Sequence, residues 1–146
     1  MIVIASDHAG VEYKSALSEI IRAGGREVHD LGPADTVSVD YPDFAHLVAG
    51  AVARGEAEMG VLICGTGIGM SLSANRHRGV RAALCHDAFT TEMSRRHNDA
   101  NVICIGARVI GLGVAEQMVR IFLETPFEGG RHQRRVERIE IEQEAS

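Results

Sequence analysis

Short, uninterrupted apolar runs alternate along this chain with longer stretches in which apolar residues recur every three or four positions. "IVIA" at 2–5 reads as a first strand. Tyr13, Leu17, Ile20 and Ile21 follow at the spacing of one helix face, and "GG" at 24–25 ends that helix. "REVHDLG" at 26–32 predicts a second, shorter strand. Pro42 opens a helix whose face carries Phe44, Leu47, Val48, Ala51 and Val52, proline being comfortable at a first helical position. "GVLIC" at 60–64 is apolar throughout, as a strand buried on both faces is. "VRAALC" at 80–85 and "NVICIG" at 101–106 repeat the theme. Helices are expected at about 87–97 and at about 111–124, the latter with Val114, Met118, Ile121 and Phe122 in register. The charge-rich tail "RHQRRVERIEIEQEAS", 131–146, also reads as helical, with a thin apolar face.

Five strands alternating with helices imply an α/β fold: a single three-layer α/β/α domain over 1–146, Rossmann-like, with a five-stranded parallel sheet. Ligands of such sheets bind at the carboxyl ends of the strands. That rule selects Asp7 and His8 after strand one, Cys64 and its glycine loop after strand three, His86 and Asp87 after strand four, and Gly106 to Arg108 after strand five.

A length of 146 residues suits one domain. A formal net charge of −5 and 4% aromatic residues argue against a nucleic-acid surface or an affinity for anionic membrane. No apolar run approaches the roughly 20 residues of a transmembrane helix. The start, "MIVIASDHAG", lacks the basic region of a signal peptide. Three cysteines without a CxxC pair fit free thiols in a reducing cytoplasm.

The glycine loop, "CGTGIGMS" at 64–71, matches neither GxGxxG nor a P-loop. It is either a tight strand-to-helix turn or a nest of N–H groups able to hold a phosphate or a developing oxyanion. Cys64 at its lip is either a small buried hydrophobe or a nucleophile or base, since a helix N-terminus favours negative charge. Cys85 and Cys104 read as core thiols. Asp7 and His8 can serve as acid, base or anion ligand, or as a cap and a surface histidine. His97 and Asn98 precede strand five and so start at its wrong end. They are either a solvated helix end or groups that serve a neighbouring subunit's site. Arg131 and Arg135 share one helical face, and their guanidinium forks suit phosphate. No HExxH or other paired spacing points to a metal.

Taken in order, "SDHAG", "DYPDFA", "ICGTGIGMS", "RRHNDANV", "GARVIG" and "EGGRHQRRVE" resemble the ribose-5-phosphate isomerase type B family, which includes galactose- and allose-phosphate isomerases. The resemblance implies an aldose–ketose isomerase that works through a cis-enediolate without metal or other cofactor. It implies Cys64 as the proton-shuttling base. A second branch of the family carries glutamate where Met70 stands here, so this chain resembles the cysteine type. Thr66 would orient substrate or polarise the thiol, and Asp7 and His97 resemble the ring-opening pair. Backbone N–H groups from Gly65 through Gly67, Ile68, Gly69 and Met70 to Ser71 would form the anion hole. His8, Arg131, Arg135 and Arg108 match phosphate ligands, and Tyr41 and Asn98 match sugar contacts.

The resemblance further implies a homodimer, able to pair into tetramers, whose site is shared between subunits. His97, Asn98 and Arg108 would then come from the partner chain. Allose 6-phosphate, galactose 6-phosphate or a four-carbon sugar phosphate remain open as alternative substrates. So do a phosphosugar-binding module without catalysis and a flavodoxin-like or nucleotide-binding domain. No nucleic-acid or membrane partner is expected.

Overall fold

The structure is a computed structural model that describes residues 1–142. Five strands form one parallel sheet: β1 (Ile2–Ser6), β2 (Val28–Asp30), β3 (Met59–Cys64), β4 (Ala82–Leu84) and β5 (Val102–Gly106), in the spatial order β2-β1-β3-β5-β4. The three central strands are buried along their whole length, which is why they read as continuous apolar runs. The two edge strands have only three residues each. The second strand therefore falls short of the expected 26–32. Asp30 Oδ1 accepts the Gly32 N–H at 2.8 Å, and Gly32 is left-handed (φ 98°), so the chain turns away from the sheet after Gly32, whose carbonyl still accepts the Ser6 N–H at 3.1 Å. The fourth strand likewise keeps only the middle of 80–85.

Alternate strand residues face opposite layers. Ile2, Ile4, Val61, Ile63, Ile103 and Ile105 pack against α1 (Val11–Ala23) and α5 (Leu112–Glu124) through Leu17, Ile21, Met118 and Phe122. Val3, Ala5, Leu62, Cys64, Val102 and Cys104 pack against α2 (Tyr41–Ala53) and α3 (Ile68–Ala74) through Val48, Ala49, Met70 and Ala74. α4 (Ala88–Arg96) lies on α5. Gly60, in the middle of β3, faces Val48 so closely that no Cβ fits there.

α6 covers only Arg131–Glu137 and is capped at Arg138. The expected helical tail is thus shorter than 131–146, because beyond Glu137 no apolar stripe anchors a further turn. Residues 143–146 of that expectation lie outside the described residues. No helix among the described residues is long and apolar enough to cross a membrane.

The chain leaves β1 toward β2 on one side, while the strands after β3 lie on the other. This is the topological switch point, where open α/β sheets bind ligands. Ser6 pairs with Ile63 across it, so Asp7 and Cys64 emerge side by side.

Candidate active site

At that switch point Asp7, Tyr41, Cys64, Gly65, Thr66, Ile68, Gly69, Leu72 and Arg108 line one open cleft. The backbone fixes the acid and the thiol relative to each other. The Asp7 N–H donates to the Ile63 carbonyl at 3.0 Å, and Cys64 ends β3 almost fully buried. Asp7 Oδ1 accepts the Ala9 N–H at 2.9 Å and so caps the single 3₁₀ turn His8–Gly10. His8 turns its Nδ1 to the Val39 N–H, at 3.2 Å, which leaves Nε2 as its outward nitrogen.

The glycine loop is built to close tolerances. Gly67 is left-handed (φ 79°), and a Cβ there would sit 2.7 Å from Leu84 Cδ1 and 3.0 Å from the Ile105 carbonyl carbon. A Cβ on Gly69 would meet the Tyr41 ring at 2.6 Å. Glycine at these two positions lets the loop fold over β5 and lets Tyr41 lie against the loop. The Gly67 N–H donates to Cys64 Sγ at 3.1 Å, fixing the sulfur at the lip. The Ile68 N–H is taken by Thr66 Oγ1 at 3.2 Å. The first turn of α3 closes with the Ser71 N–H donating to the Gly67 carbonyl at 3.1 Å, so the Gly69 and Met70 N–H groups precede any intrahelical bond. Met70 contributes backbone only, its side chain being wholly buried.

Arg108 departs from expectation. It follows β5, whose Gly106 pairs with Cys64, and its N–H donates to the Gly65 carbonyl at 3.0 Å. Its guanidinium lies over Gly65, where Nη1 would be 3.3 Å from an added Cβ. Arg108 therefore sits in its own chain's Cys64 cleft and not with His97 and Asn98. Register in the parallel sheet, which residue spacing does not reveal, is the cause.

His97, Asn98 and Arg135 line a different pocket, together with His132, Val136 and Ile139. His97 caps the C-terminus of α4. Arg131 and Arg135 are exposed on α6, and Arg135 lines the His97 pocket. Sequence reading missed Leu72, one helical turn beyond Ile68 and Gly69, which that spacing could have flagged. It also missed Glu128 and His132, spaced i, i+4 around two glycines.

Of the other thiols, burial pushes Cys85 up, and burial together with its neighbours Cys64 and Cys85 pushes Cys104 well up. Both stay protonated core groups. His97, Glu128 and His132 bring three potential metal ligands within 4.8 Å of one another. The two rings stack at an interplanar angle of 12°, however, so their in-plane lone pairs lie in nearly parallel planes.

A family model described as ribose/galactose isomerase matches residues 2–139. The chain is 45% identical over 138 residues to ribose-5-phosphate isomerase B of Escherichia coli, covering 94% of this chain and 93% of that protein. Among solved structures, ribose-5-phosphate isomerase B of Clostridium thermocellum superposes with a TM-score of 0.93 at 46% identity, over 94% of this chain and 93% of that one. The Mycoplasma genitalium enzyme of the same name, solved with bound ribulose-5-phosphate, gives 0.91 at 44% identity over 94% and 92%.

Proposed function

The chain belongs to the ribose/galactose isomerase family, and we propose that it interconverts ribose 5-phosphate and ribulose 5-phosphate with Cys64 as the proton carrier. The observation that carries this reading is the cleft at the switch point, where a nearly buried thiol, a carboxylate, an arginine and the free amides of a helix start converge. The ribulose-5-phosphate bound to the Mycoplasma genitalium relative supports the choice of substrate.

The closed sugar first opens, with Asp7 and His97 passing protons at the ring oxygen and the anomeric hydroxyl. The Cys64 thiolate then takes the hydrogen from C2 as a proton. The C2–H electron pair moves into the C1–C2 double bond, and charge collects on O1 of a cis-enediolate. The loop amides from Gly65 to Ser71, with Gly69 and Met70 the least committed, face that charge, and donors held in place act most strongly there. A proton passes between O1 and O2, and the Cys64 thiol returns its proton to C1, giving the ketose. Thr66 and Tyr41 hold the sugar, and Asn98 contacts it. His8, Arg108, Arg131 and Arg135 hold the phosphate, guanidinium forks matching its oxygens.

One chain does not hold all of these groups around one cleft, since His97, Asn98 and Arg135 line a separate pocket. We infer a homodimer in which each Cys64 cleft receives those groups from the other copy. Tyr41, Ile68 and Leu72 leave exposed apolar surface at the cleft mouth, which suits cover by a second copy. The test is turnover of ribose 5-phosphate by the purified protein with a chelator present. Formation of ribulose 5-phosphate is expected; a folded protein that forms none overturns the assignment.

A further inference from the structure

The stretch "EGGRH" at 128–132 carries two side chains to which the reaction above gives no task, and both meet His97. The His97 and His132 rings stack with centroids 4.2 Å apart. The Glu128 carboxylate spans the pair, with one oxygen 3.8 Å from His97 Nε2 and the other 3.9 Å from His132 Nε2.

The backbone explains how residues 31 and 35 positions beyond His97 arrive there. Gly129 (φ 65°) and Gly130 (φ 54°) are both left-handed, and the chain reverses between Glu128 and α6. The Glu128 N–H donates to the Arg96 carbonyl at 3.1 Å, tying it to the last turn of α4. The His132 N–H donates to the Gly129 carbonyl at 3.0 Å, and the His132 ring is buried. From the other side, Asp99 takes a left-handed conformation (φ 47°), alone among the described non-glycine residues. Its carboxylate accepts from Arg95 at 2.9 Å and Arg81 at 3.4 Å. The chain is thus pinned two residues beyond His97 by Asp99, and the His97 ring is flanked by His132 and Glu128.

We propose that Glu128 and His132 are positioning residues for His97, with His132 setting the plane of its imidazole and Glu128 holding its carboxylate against the Nε2 edge of the ring. The proposal rests on the reading of His97 as a ring-opening group. A separation of 3.8 Å is longer than a hydrogen bond, so Glu128 flanks the ring while leaving Nε2 free for substrate. Burial first, then the neighbouring His97 and Arg131, hold the His132 imidazole below the ordinary histidine range, with Arg135 adding and Glu128 opposing. His132 is therefore the neutral partner of the stack.

Two readouts separate positioning from general damage. Ribose 5-phosphate enters as a closed ring and needs opening. Ribulose 5-phosphate cannot close through its phosphorylated C5, so exchange of its C1 hydrogen with deuterium oxide, followed by NMR, needs only the proton transfer. Full-length Glu128→Gln and His132→Gln should convert ribose 5-phosphate about tenfold more slowly or worse while exchanging C1 hydrogen at the wild-type rate. His132→Phe, which keeps a flat ring, should recover most of the conversion lost in His132→Gln. Wild-type conversion in both glutamine variants, or parallel loss of both readouts, overturns the proposal. His97→Gln distinguishes the two levels of failure. If it loses conversion alone, unimpaired neighbours sink only the positioning role. If it loses exchange equally, the ring-opening reading falls and the positioning role falls with it.

Discussion

The Cys64 cleft is assembled by the sheet, whereas the pocket of His97, Asn98 and Arg135 is assembled by helix ends. In the first, Asp7, Cys64 and Arg108 follow three adjacent buried strands whose register is locked by backbone hydrogen bonds. In the second, His97 caps α4, and α6 reaches it only through a turn of two left-handed glycines. The proposed proton transfer requires a base held to a fraction of an ångström, and the rigid strands supply it. The helix-end groups proposed for ring opening and phosphate anchoring, His97 and Arg135, would complement Asp7, His8 and Arg108 of the sheet-borne cleft. Those groups sit where a second copy can present them.

The largest expected effect is in the sheet-borne region. Cys64→Ala should lower kcat about 10³-fold or more, since the proton carrier is gone, while circular dichroism reports an intact fold. Wild-type turnover in Cys64→Ala would remove the chemical distinction between the two regions. Arg135→Ala, on the helix-end side, should act on binding. Loss of a charge-assisted contact to phosphate corresponds to about a tenfold to hundredfold rise in KM, with a smaller change in kcat. An unchanged KM would show that this pocket does not meet the phosphate.

A smaller effect is expected at the start of α4, the helix that carries His97. Asp87 caps it, with Oδ1 accepting the Thr90 N–H at 2.7 Å. That bond first, then the one from the Thr90 hydroxyl, hold the Asp87 carboxyl below the usual carboxylate range. A carboxyl with a lowered value in the folded state contributes stability at neutral pH and loses it as pH falls through that value. Asp87→Ala should therefore lower Tm modestly at neutral pH, and thermal melts should converge with wild type in acid. A gap that stays constant with pH would mean that the carboxylate's charge has no part in the cap.

The sheet-borne region was largely legible from residues alone. Apolar runs located β1, β3 and β5, and the strand-end rule then selected Asp7 and Cys64. The side on which Arg108 sits was not legible, because it depends on the pairing of Gly106 with Cys64 across two strands. The link from His97 to Glu128 and His132 was hidden for a different reason. It follows from the left-handed turn at Gly129 and Gly130 and from the docking of α6, neither of which leaves a periodic signal. The edge strands are shorter than the runs that predict them because only three residues of each pair in register with β1 or β5, although single backbone bonds continue at Leu31 and Cys85.

The central claim is that a working site combines Cys64 of one copy with His97 of another. Subunit exchange between Cys64→Ala and His97→Gln proteins, each inactive in ribose 5-phosphate conversion alone, tests it most directly. Random reassociation makes half of the dimers mixed, each with one intact shared site, so activity should return to about a quarter of wild type. Mixed dimers isolated through two different affinity tags that remain inactive would contradict the shared site and place both groups in a single chain's chemistry.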